Sequence, residues 1–107
     1  MYLVYKDKEI RCVETGIETF LRYKVEKIYY AVVIRNCNRF STILSLQNID
    51  IMILDNDYKI LSYKHNMKPN TVFEDKNGSI VVVLPPNYYE NIEIGDKIVI
   101  CEKIINK

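Results

Sequence analysis

Two stretches of the chain are apolar almost without a break, 28–34 (Ile-Tyr-Tyr-Ala-Val-Val-Ile) and 80–84 (Ile-Val-Val-Val-Leu). Both are rich in β-branched residues and too short for stand-alone helices, which predicts central strands covered on both faces. Apolar stretches at 2–5 and 9–13 flank the charged turn at Lys6, Asp7 and Lys8, and predict an opening hairpin. Between the two central runs, 40–44, 49–54 and 59–63 are strand-length segments separated by four-residue polar turns, the spacing of a β-meander. Thr15 followed by Glu18 forms a capping box, and Ile17, Phe20, Leu21 and Lys24 follow at helical spacing, so a helix is expected near 16–24. Asn87 with Glu90 repeats the cap signal after Pro85 and Pro86. A short helical turn is therefore expected near 87–91, before Gly95 and Asp96 turn the chain into a last strand over 97–103. The expected fold class is α+β, mostly β: a small barrel-like antiparallel or mixed sheet of about eight short strands, curled because an open sheet of that size would leave costly edges.

Composition narrows the function classes. A chain of 107 residues is read as a single domain, 1–107, able to bury roughly two thirds of its unfolded surface without disulfides or a structural metal. Its 49% apolar and 27% charged residues exclude a disordered composition. Fifteen Lys and Arg against fourteen Asp and Glu leave a net charge of +1, so nothing global draws the protein to polyanions or anionic lipid. Nucleic acid is disfavoured as a partner, although basic and aromatic residues do interleave at Tyr5, Lys6 and Lys8 and at Tyr63, Lys64 and His65. Cys12, Cys37 and Cys101 are odd in number, far apart and without a CxxC pair, and read as reduced thiols. Charged residues at 6–9 stand where a signal peptide would be apolar, and no run approaches membrane-spanning length, so the cytoplasm is the expected compartment. No phosphate-cradling loop, Ser elbow or zinc spacing is present, and no cofactor is expected.

The segment 36–70 carries a more specific pattern: Asn36-Cys37-Asn38, then Thr42, Ile49-Asp50, Leu54-Asp55 with Asp57, and finally Asn66 and Pro69. In this it resembles the domain of unknown function 192 family, in which a C-N-x-I-H-T-F-F-M-x-x-x-I-D-V-x-F-L-D-x-D-G block followed by N-x-x-P has the same spacing. Leu84-Pro85 and Ile94-Gly95-Asp96 look like later elements of that family, with two residues fewer between them. The resemblance implies a small β-rich fold and transfers no reaction. Three departures stand out: Ser41 replaces the family's usual His, Ser45 its frequent Met, and Tyr58 its Gly after the acidic turn. Any family activity carried by that His or Met is therefore not expected here. Tyr58 also predicts a rebuilt or strained turn, since a positive φ costs a non-Gly residue on the order of 1 kcal/mol.

Asp50 is the leading candidate residue. In the alternation of Ile49, Ile51 and Ile53 against Asp50, Met52 and Leu54 it shares a face with two apolar side chains, so it must find hydrogen-bond partners there. Thr42, on the neighbouring strand of the expected meander, and backbone N–H groups of a loop are the natural donors. Asp55 and Asp57 have the spacing that opens a calcium loop but lack its later Gly and Glu, so a hairpin turn and no metal is expected. His65 is the only histidine, and would join chemistry through tertiary contact with Cys37 or Ser41. The favoured reading is a non-catalytic binding module for an unknown small molecule or protein, with Cys37, Ser41, Thr42, Asp50, Asn66 and Pro69 around the site. The rivals are a small hydrolase or isomerase using Asp50 with Ser41, Cys37 or His65, and a protein-interaction or assembly domain.

Overall fold

The computed structural model describes residues 1–16, 29–42 and 48–102. They form nine strands: β1 (Tyr2–Tyr5), β2 (Lys8–Glu14), β3 (Ala31–Arg35), β4 (Arg39–Ser41), β5 (Ile49–Leu54), β6 (Ile60–Met67), β7 (Val72–Glu74), β8 (Ile80–Leu84) and β9 (Val99–Cys101). Seven make one sheet in the order β6, β5, β8, β3, β2, β1, β9. All pairings in it are antiparallel except that of β2 with β3, whose connection has the length a parallel crossover requires. The sheet curls into a half-barrel. Its two edges meet at one end, where Lys59 bridges Lys97 and the Ile60 N–H donates to Asp96 O at 2.8 Å.

The described residues contain no helix, and the fold is all-β, which corrects the expected α+β class. The helix expected near 16–24 lies, apart from Gly16, outside the described residues. The helical turn expected near 87–91 is a series of bends instead. Asn87 and Asn91 both take the left-handed conformation, at φ 66° and 53°, which interrupts a helical repeat at each end.

Curling gives the sheet two distinct cores. Leu3, Tyr5, Ile10, Cys12, Met52 and Leu54 point into the half-barrel with alternate residues of β3 and β8, while Ile49, Ile51 and Ile53 face outward. The outer face is covered by a separate two-stranded ribbon of β4 and β7, which seats Phe40 and Phe73 against it. The four apolar residues of β3 and all five of β8 are therefore buried, as their unbroken sequences imply. Each fully buried Val, Ile or Leu contributes about 1.5–3 kcal/mol.

The ribbon also breaks the expected meander. β5 and β6 do form a hairpin, but β4 leaves the main sheet to pair with β7, a three-residue strand too short to register as a hydrophobic pattern. The β5–β6 turn is tied by the Asp55 carboxylate, which accepts from the backbone N–H groups of Asp57 and Lys59 at 2.8 and 3.0 Å. Tyr58 sits in this turn at φ 63°. Its ring packs on the inner core and its hydroxyl accepts from Arg35 at 2.9 Å, contacts that offset the backbone cost.

Candidate functional site

Strand β6 runs four residues beyond its expected end at 63, and the extension builds the site. Ile49 pairs with Met67 and Ile51 with Lys64, so His65 and Asn66 together oppose the single residue Asp50. This β-bulge re-aims both residues. Asn66, at φ 54°, turns its N–H onto Asp50 Oδ1 at 2.7 Å, and Met67 is flipped into the outer core. Tyr63 and His65 keep the inner face.

Asp50 is fully buried, as its apolar neighbours on that face require. Oδ2 accepts the Tyr63 hydroxyl at 2.8 Å and the Asn87 N–H at 3.0 Å, and lies 3.3 Å from His65 Nδ1. Tyr63 has one proton and gives it to Asp50 over the shorter contact, so it cannot also donate to Nδ1, 3.4 Å from its oxygen. Nδ1 is therefore the donor, and in the neutral form of the ring Nε2 carries the lone pair. Burial first, and then the bond to Asp50, holds the Tyr63 phenol far above the ordinary tyrosine value, so the proton stays in place. His65 itself is half in solvent, with 53% of its side chain exposed against 1% for Asp50.

The opposite wall is the segment 87–91, pinned to the first hairpin by tyrosines. Tyr89 donates to Lys8 O at 2.8 Å and Tyr88 to Glu9 O. Tyr89 stacks edge-on against both Tyr5 and Tyr88, with ring centroids 5.5 and 4.9 Å away. Between the walls lies a cleft of about 440 Å³ lined by Tyr63, His65, Asn87, Tyr89, Glu90 and Asn91. Three of Asp50's four partners belong to that lining, so the buried carboxylate organises the cleft from behind.

The residues expected around one site separate into three places. Asp50 and Asn66 meet, and His65 joins them in place of its expected partners Cys37 or Ser41. Thr42 does not reach Asp50: it is buried in the segment leaving the outer ribbon, accepts the Thr71 N–H at 2.8 Å and donates to Lys68 O at 2.6 Å. Together with the bond from Asn70 N to Thr42 O it clamps the turn that contains Pro69. Ser41 lies on the same ribbon, opposite Val72. Cys37 lines a second cleft of about 390 Å³ with Arg39, Asn56 and Ser79, at the end of the sheet where β5 stops. Four strand residues separate that end from Asp50, or about 13 Å.

Sequence reasoning did not single out Tyr63, Tyr89, Glu90 or Asn91 for this site. A signal for Tyr63 existed, because residues 63 and 65 share a strand face, but the expected strand stopped at Tyr63. Among the described residues no helix is long and apolar enough to cross a membrane.

No protein-family model matches the chain, and no curated protein does. Two crystal structures share the fold. One is a protein of unknown function from Novosphingobium aromaticivorans DSM 12444, with TM-score 0.71 and 11% identity over 92% of this chain and 81% of that one. The other is a "putative transcription regulator" from Sinorhizobium meliloti 1021, with TM-score 0.72 and 9% identity over 92% of this chain and 89% of that one. At these identities the likeness is one of fold.

Proposed function

We propose that the protein is a small-molecule-binding β domain whose ligand occupies the cleft between β6 and 87–91. The observation that supports this most is the convergence of three lining residues on one buried carboxylate. A carboxylate buried for structure alone needs its hydrogen bonds satisfied, and backbone N–H groups can do that. Here it also fixes the tautomer of a half-exposed histidine beside a cleft of ordinary ligand-site size. Screening a metabolite library by thermal shift, with His65→Ala in parallel, tests the reading. A ligand that raises the melting temperature of the parent and not of the variant supports it, and a ligand indifferent to His65 overturns it.

A second reading is acid–base catalysis, favoured by the same Asp50–His65 contact, since a carboxylate behind Nδ1 is how an imidazole is oriented to accept a proton at Nε2. Cys37 lies too far away to serve as its nucleophile, which leaves proton transfer rather than covalent hydrolysis. Deuterium incorporation from heavy water into a bound substrate, lost in His65→Ala, distinguishes catalysis from binding. Kinship with the domain of unknown function 192 family is likewise our proposal, carried by the residue spacing over 36–70.

A further inference from the structure

We propose that the ligand of this cleft is an organic cation, an ammonium-bearing small molecule, an inference that rests on the binding reading above. The lining offers acceptors and no lysine or arginine: His65 in its neutral form presents Nε2, Glu90 contributes an exposed carboxylate, and Asn87 and Asn91 add amide oxygens. Behind the wall, Asp50 adds a second negative charge that no lysine or arginine among the described residues pairs with. The lysines of the first hairpin, which packs against 87–91, are already committed, and Lys64, between Tyr63 and His65, alternates to the other face of β6. Lys6 donates to Asn91 O at 2.9 Å and pairs with Glu93 at 2.6 Å, and Lys8 donates to Tyr88 O while lying 4.2 Å from the Tyr88 ring centroid.

The tyrosines point the same way. The Tyr89 hydroxyl proton is used on Lys8 O and the Tyr63 proton on Asp50, so what these residues have left to offer a ligand is oxygen lone pairs and ring surface, neither of which donates to an anion. Ring faces attract cations and are indifferent or repulsive to anions. The chain already makes this contact with its own Lys8 and Tyr88. A ligand ammonium would donate to His65 Nε2 and Glu90 while lying over a ring, and an anion would meet two carboxylates with no lysine or arginine to compensate them, only the neutral amides of Asn87 and Asn91.

The test uses probes matched in shape and differing in charge: putrescine, 1,4-butanediol and succinate as a linear series, and glucosamine, glucose and glucuronate as a cyclic one. Binding is followed by backbone amide shifts of Tyr63, His65 and Glu90 in the full chain, with Glu90→Gln as the second protein. The expected result is saturable shifts with a cation, weaker by about fivefold or more with its neutral and anionic counterparts and by about fivefold in Glu90→Gln. Equal or tighter binding of a neutral or anionic probe at the same residues overturns the cation assignment and leaves the binding reading standing. Shifts from none of the six at these residues overturn both.

Discussion

The Tyr63 hydroxyl donates to Asp50 across 2.8 Å, and that bond lies between a buried strand and the wall of the cleft. Replacing Asp50 by Asn would point an amide N–H₂ at groups that can only donate, the N–H of Asn66 or Asn87. Asp50→Asn is therefore expected to lower stability by about 2–4 kcal/mol in urea unfolding. Tyr63→Phe, which leaves Asp50 its other three partners, should cost about 1–2 kcal/mol.

His65 separates stability from function. Its side chain is half exposed and Asp50 keeps three donors without it, so His65→Ala should change unfolding stability by less than about 0.5 kcal/mol. Ligand-induced thermal shifts should nonetheless disappear. Cys37→Ser, at the far end of β5, should leave both unchanged, and loss of binding in that variant would move the site to the second cleft.

The buried phenols set an alkaline limit. Tyr63 and Tyr89 are both held well above the ordinary tyrosine value, in each case chiefly by burial. The folded protein keeps these protons at pH values where the unfolded chain releases them. Their contribution is thus fully present below the unfolded value of about 10 and declines as pH rises above it. Melting temperature should fall above that point, and less steeply in Tyr63→Phe. The opposite sign holds for Asp75, kept below the usual carboxylate range by Ser62 and then by the Asn77 N–H. Its contribution is present above the ordinary aspartate value and is lost as pH falls through the lowered one.

Gly78 is required by a close approach. A Cβ there would lie 2.2 Å from Ile53 Cγ2, a fully buried atom group on β5, and 3.1 Å from Asp75 O. Gly78→Ala should destabilise by about 1–3 kcal/mol, because neither the strand nor the turn backbone can withdraw without disturbing the outer core. Calorimetry would show this as a lower melting temperature.

Much of this was written where a single rule dominates. The runs at 28–34 and 80–84 mark the central strands because burial on both faces leaves no alternation to misread, although β3 begins only at Ala31, after an exposed Tyr29. The face shared by Asp50, Met52 and Leu54 follows from period-two geometry, as does the demand for donors around Asp50. What stayed hidden depends on one residue more or less. The bulge at His65 and Asn66 changes the face of everything after it, and the diversion of β4 into a ribbon removes Thr42 from Asp50's side of the sheet. The asparagines have structural use. Asn36, Asn66, Asn70, Asn87 and Asn91 all hold positive φ, and two of them aim their N–H groups at Asp50 because of it.

The pairing of Tyr2 with Cys101 and the seam between Lys59 and Lys97 impose an order on folding. Strands β5, β6 and β8 can associate early, since their partners are close in sequence, but the half-barrel has no second edge until β9 arrives. During synthesis the inner face would wait, unsealed, until β9 has emerged, some hundred residues after β1. Closure of so distant a contact is a late and slow event, and the time before it is when this protein is most exposed to pairing with the wrong strand.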